Sequence, residues 1–138
     1  MNPRYPRVAA RAGHHCEYCG APEVLFNLAF EVEHIVPRRR GGGDEDDNLA
    51  LACRACNLAK GDAVEGWDEH TGSFSRLFHP RVDRWEDHFR LCGASGGIEG
   101  ITMVGRATVV RLKMNREIAM NARQSWMRLG ILPLKGRV

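Results

Sequence analysis

Four of the five cysteines fall into two Cys-x-x-Cys pairs, Cys16/Cys19 and Cys53/Cys56, with Cys92 left over. A turn of this kind presents two sulfurs to one ion, and two turns supply the four thiolates of a tetrahedral zinc site. Buried unpaired thiols or a redox pair are the competing readings of the same residues. The stretch between Cys19 and Cys53 exceeds the ~15–20-residue spacer of common zinc fingers, so it must be a substructure of its own. A Glu33-His34 pair lies inside it, on a run that reads as a strand.

The elements that would position these residues follow from pattern. Residues 4–12 predict a short helix stopped by Gly13, followed by a tight turn over 14–20 that carries the first cysteine pair. Residues 28–36 alternate Phe30 and Val32 with Glu31 and Glu33, as a half-buried strand does, and Pro37 ends it. The loop over 38–48, with three arginines, three glycines and the acidic run Asp44-Glu45-Asp46-Asp47, is expected to be exposed and solvated. Apolar character returns at Leu49, delivers Cys53 and Cys56, and passes into a short helix over 57–62. Residues 63–82 read as irregular. Residues 84–92 and 98–104 predict a hairpin around a five-residue loop, with Cys92 in its core. A short helix is expected over 105–113. Asn115 is the expected N-cap of a longer helix reaching Leu129, with Ile118, Ala122, Trp126 and Leu129 on its buried stripe and Gly130 as its stop.

A chain of 138 residues, 43% hydrophobic and 27% charged, fits one folded core and neither a disordered tail nor a disulfide scaffold. No stretch approaches the ~18 apolar residues of a membrane span, and no apolar run follows the basic residues near Met1. No membrane association is expected, and the unoxidised cysteine pairs suit a reducing, cytoplasmic setting. The net charge is only +3, but residues 101–138 carry eight basic groups against one acidic, a local +7. Such a stripe can neutralise phosphates, although a solvated helix face gives the same pattern.

The ordered set Cys16-x-x-Cys19, Val32-Glu33-His34-Ile35-Val36-Pro37, Gly41-Gly42-Gly43, Asn48-Leu49 and Cys53-x-x-Cys56-Asn57-x-x-Lys60-Gly61-Asp62 resembles the HNH endonuclease family in its zinc-knuckle form. The resemblance covers about residues 8–62. It implies an α+β fold: a small ββα-metal nuclease core stabilised by a four-cysteine zinc site, followed by a C-terminal β-hairpin and helices. Residues 1–62 would be the nuclease module and 63–138 an extension packed with it as one compact unit. The resemblance further implies that His34 is the general base, that Glu33 and Asn57 ligate a catalytic divalent cation, and that Asn48 fixes the loop and orients His34 through a hydrogen bond. Arg38 and Lys60 are candidate phosphate contacts.

Chemistry agrees with these types. A neutral imidazole, with an ordinary pKa of ~6.5, can take a proton from water near neutral pH once a neighbour fixes its tautomer. Carboxylate and amide oxygens are hard donors that suit Mg²⁺ or Mn²⁺ better than Zn²⁺. Two positions depart from the family's commonest pattern: Glu33 stands where Asp is commoner, and Asn57 where the family has its last histidine. The expectation is a metal-dependent endonuclease with nucleic acid, DNA in the first place, as its partner. The alternatives are a non-catalytic zinc-ribbon module that binds nucleic acid and a zinc-stabilised adaptor for an acidic protein. DNA or RNA, the strandedness of the substrate and the oligomeric state stay open at this point.

Overall fold

Pro6 sits in the first turn of helix α1 (Tyr5–Arg11), where a missing N–H leaves no hydrogen bond unmade, and the helix buries Val8 and Ala9. The computed structural model describes residues 2–132 and is α+β, with small antiparallel sheets. The chain divides into two compact units. The first runs up to Val64 and takes in His79–Val82; the second holds Glu65–Phe78 and the chain from Asp83 onward. Among the described residues, no helix is long and apolar enough to cross a membrane.

In the first unit, Gly13 and His14 take positive φ (62° and 58°) and swing the chain out of α1 into the first cysteine turn. That turn closes with Gly20 N–H donating to the Cys16 carbonyl at 2.9 Å. Strand β1 (Glu31–His34) pairs antiparallel with β2 (Leu49–Ala52), with Glu31 opposite Ala52 and His34 opposite Leu49. All four residues of β2 are fully buried, which is why this strand is an unbroken apolar run rather than an alternating one. It leads through Cys53 into helix α2 (Arg54–Lys60), whose first turn is capped by the Cys53 sulfur accepting from Cys56 N–H at 3.4 Å. The second cysteine pair therefore lies at the start of this helix, not ahead of it as the sequence pattern suggested.

β1 is shorter than the expected run over 28–36, and its alternation is inverted. The nearly buried Glu23 carboxylate accepts the Phe30 N–H at 2.6 Å, ahead of the strand. Glu33, expected to face water, is 5% exposed, whereas Val32 is half-buried. A carboxylate can be buried only with partners, and those partners are described with the site.

The second unit contains a hairpin where irregular chain was expected: β3 (Glu65–Asp68) pairs with β4 (Ser73–Arg76). Its turn is built on Asp68, which accepts the Thr71 hydroxyl at 2.8 Å through its side chain and Gly72 N–H at 2.9 Å through its carbonyl. A short helix α3 (Trp85–His88) precedes the expected second hairpin, β5 (Phe89–Leu91) with β6 (Ile98–Gly100). Helix α4 (Met103–Arg111) is capped by Thr102, whose hydroxyl accepts Gly105 N–H at 3.0 Å. Phe78, Trp85 and Phe89 pack together, with ring centroids 5.2 Å (Phe78–Phe89) and 5.1 Å (Trp85–Phe89) apart.

Helix α5 (Glu117–Arg128) forms near the expected place but for different reasons. Asn115 is not its N-cap; that position is Arg116, and the Asn115 amide brackets the Ile98 N–H (2.8 Å) and carbonyl (2.9 Å). The ends of the stripe expected to be buried are open, with Ile118 78% and Leu129 72% exposed, while Ala122 and Trp126 are half-buried. The buried side chain is Arg123, which donates to the carbonyls of Gly96 and Met114, both at 2.5 Å. Cys92 is exposed, not a hairpin core residue. Arg106 and Arg123 are both held by groups of their own unit, so the local +7 is only partly a free surface charge. Lys135 and Arg137 lie outside the described residues.

Asp68 is 1% exposed and receives both Arg106 Nε (2.9 Å) and Nη2 (3.1 Å). The guanidinium, helped by Thr71 and the His70 N–H, holds this carboxyl far below the usual carboxylate range. A depressed folded pKa adds stability above the unfolded value of ~3.9 and forfeits it as pH falls towards the folded value. Asp68→Asn is thus expected to lower Tm at neutral pH and to flatten the acid decline below about pH 4. Circular-dichroism melts across pH check this; parallel acid limbs in both proteins would refute it.

Candidate metal centre and cleft

The two cysteine turns meet because the first is stitched to β2. Glu17 N–H donates to the Leu51 carbonyl at 2.9 Å, and the Glu17 carboxylate accepts Leu51 N–H at 2.8 Å. Arg81 pairs with the other Glu17 oxygen. Since β2 runs directly into Cys53, this clamp brings all four sulfurs within 4.8 Å of one another, Cys19 and Cys53 being 3.8 Å apart. A tetrahedron with Zn–S bonds of ~2.3 Å spaces its sulfurs by about that distance. Cys19 and Cys56 donate backbone N–H groups to Cys16 Sγ (3.5 Å) and Cys53 Sγ (3.4 Å), the pattern that favours thiolates. Hydrogen bonds from Cys16 and then Cys19 push the Cys53 thiol far down, whereas Cys19 and Cys56 are pushed up, each first by Cys16. Sulfur alone supports little charge here, and a dication is what lets four thiolates coexist. His14 and His15 bond to Glu23 and to the Gly13 carbonyl.

A cleft of about 430 Å³ lies beside β1 and α2, lined among others by Glu33, His34, Asn57, Asp62, Arg38 and Arg39. Three of the residues expected at a catalytic centre, Glu33, His34 and Asn57, thus share one cavity. Their individual settings differ.

Glu33 accepts the Tyr18 hydroxyl at 2.5 Å and the Lys60 ammonium at 3.2 Å, all three groups being buried. Burial pushes the Glu33 carboxyl up, while Lys60 and Tyr18 counter it; burial and then the Glu33 charge push the Tyr18 phenol well up. Lys60 is the corrected position among the expected phosphate contacts. It is 1% exposed, and its ammonium also donates to the carbonyls of Ile35 (2.9 Å) and His34 (3.4 Å). No polyanion reaches it there; its work is to neutralise Glu33 and hold the end of β1.

Asn57 donates to Glu31 Oε1 at 2.7 Å, and Arg54 donates to the other oxygen at 3.2 Å. Glu31 is a neighbour of the site that sequence reasoning missed, although its place two residues before Glu33 on one strand face was a usable signal.

Asn48 is a second correction. Its amide accepts Val36 N–H (2.9 Å) and donates to the carbonyls of Val36 (3.0 Å) and Gly43 (2.8 Å), not to the His34 ring. The carboxamide matches the loop backbone on both sides, so it fixes the loop as expected but without touching the imidazole. The partner of His34 is Asp44, with Nε2 2.8 Å from Oδ1. Asp44 also accepts Arg38 at 2.6 Å and lies 3.7 Å from Arg4. Hydrogen bonding to His34, then the Arg38 and Arg4 charges, hold its carboxyl below the usual carboxylate range. The acidic run is therefore not simply solvated: Asp44 meets the His34 ring, and Asp46 takes Arg7 at 2.7 Å. Arg38, though bonded to Asp44, stays exposed at the cleft.

Residues 16–63 match the family model described as HNH endonuclease, a span that holds both cysteine pairs and the cleft residues named above. No curated protein and no solved structure matches the chain.

Freshly purified protein is expected to carry one zinc per chain by elemental analysis, and Cys53→Ser to lose both metal and fold, since structural zinc supplies folding free energy. Zinc-free folded protein would contradict this. Lys60→Met leaves Glu33 buried without its counter-charge and should destabilise by about 3–5 kcal/mol. Glu33→Gln added to Lys60→Met should recover much of the loss in urea titrations.

Proposed function

We propose, because residues 16–63 match the HNH endonuclease model, that this protein is a metal-dependent endonuclease that hydrolyses phosphodiester bonds of DNA. The observation that supports this reading best is the single cleft lined by Glu33, His34 and Asn57, with Arg38 and Arg39 beside them. A histidine needs a partner to serve as a base, hard oxygens are needed to hold a cation, and cationic groups are needed where phosphates arrive; one cavity collects all three.

His34 takes a proton from the attacking water. The new P–O bond forms as the bond to the 3′-oxygen breaks; that oxygen leaves with the electron pair and takes a proton from solvent water, giving a 5′-phosphate and a 3′-hydroxyl. Glu33 and Asn57 are the residues that would hold Mg²⁺ or Mn²⁺, which when bound stabilises charge on the phosphoryl and leaving oxygens. An ionised carboxylate has about four lone-pair sites, and Tyr18 and Lys60 occupy two of those on Glu33. Arg38 offsets the charge of a phosphate entering the cleft, so affinity should fall with salt and carry little base preference. In this reading residues 1–62 are the nuclease module and residues 63–138 its extension, and the four thiolates belong to a reducing, cytoplasmic compartment.

Supercoiled plasmid incubated with the protein and Mg²⁺ or Mn²⁺ is expected to be nicked or linearised, and EDTA to stop the reaction. His34→Ala should lower turnover by at least about 10²-fold with DNA affinity nearly intact. Undiminished cleavage by His34→Ala would remove this residue from the mechanism. Salt-sensitive binding without cleavage would favour a zinc-ribbon binding module instead.

A further inference from the structure

The loop between β1 and β2 reads in sequence as an exposed linker, yet its backbone is locked at several points. The Asn48 amide grips Val36 and Gly43, Gly42 N–H donates to the Pro37 carbonyl at 3.0 Å, and Asn48 N–H donates to the Glu45 carbonyl at 2.9 Å. A Cβ at Gly42 would overlap the Val36 carbonyl oxygen, so only glycine allows this closure. The residue delivered by the closure is Asp44, directly after the gripped Gly43 carbonyl. Its Oδ1 meets His34 Nε2 at 2.8 Å and Arg38 at 2.6 Å.

We propose that Asp44 is the positioning residue of the base: by accepting from Nε2–H it fixes one tautomer of His34 and leaves Nδ1 as the atom that takes the proton from water. A carboxylate has no hydrogen to give, so the facing ring nitrogen must donate. In a neutral imidazole the other nitrogen then holds the lone pair. Asp44 touches neither water nor phosphate in this role; it acts only through His34. Arg38 and Arg4, both facing the carboxylate, favour its acceptor-only form. Asn48 thus acts on the base at one remove, through Gly43 and Asp44, where a direct bond was expected.

This inference rests on His34 being the base, so its test has one arm that needs no activity. Nitrogen-15 spectra of the full zinc-loaded chain, taken where imidazole is neutral, report the tautomer of each histidine, and His34→Ala identifies the relevant signal. The wild-type ring is expected as Nε2–H, and Asp44→Asn, which can donate as well as accept, should lose that preference. In plasmid cleavage Asp44→Asn should lower kcat by roughly 10- to 100-fold with KM nearly unchanged. A wild-type His34 carrying its proton on Nδ1 would overturn the proposal even if the variant failed to fold. So would an Asp44→Asn protein that keeps the tautomer, or one that loses it without loss of kcat. Should the wild type cleave nothing, the nuclease reading fails, and the spectra alone decide whether Asp44 sets the ring.

Discussion

Four sulfurs from turns 34 residues apart have to converge, and the clamp of the first turn on β2, made through Glu17 and Leu51, is what makes the distance short. β2 is the strand on which everything else in the first unit is hung. Its backbone is bonded to β1 on one edge and to Glu17 on the other, and its end becomes the cap of α2. Four fully buried residues in a row leave it no freedom to slip, because a shift of one residue would move Cys53 out of reach of its partners.

The second constraint is a carboxylate placed where water is absent. Glu33 is tolerable only because Lys60 reaches it from α2 and Tyr18 from the first cysteine turn. Tyr18 and Lys60 come from the two pieces that the sulfurs also join, the first cysteine turn and α2, so the charge network fastens those parts a second time and ties β1 to both. One carboxylate here meets a phenol and an ammonium at once while its strand stays in register with β2.

The ligand residues of the metal centre were readable because chemistry fixes their type and local spacing, and Cys-x-x-Cys carries both. The hairpin over 89–100 was readable from its glycine-rich loop, and α1 from the glycine that stops it. What escaped was decided by partners distant in sequence. Nothing local tells that Glu33 faces inward, since Lys60 is 27 residues away. Asp44 looked like part of a solvated run because three acidic neighbours share its composition, while only the fold shows which of the four meets an imidazole. The β3–β4 hairpin was missed because its turn depends on Asp68 and on Arg106, 38 residues further on. In α5 the apolar stripe misled, as an arginine satisfied by backbone carbonyls took the interior position instead.

Cys53 is at once one of the four sulfurs and the cap of the helix that carries Asn57 and Lys60. Synthesis makes the first cysteine pair long before the second, so the growing chain holds half a site, then a strand, and only at the end the helix that completes the cleft. The closing of the four-sulfur cluster and the start of α2 therefore wait on the same residue. Loss of the Cys53 sulfur would both open the four-sulfur cluster and uncap that helix, so cluster and cleft stand or fall together at one residue.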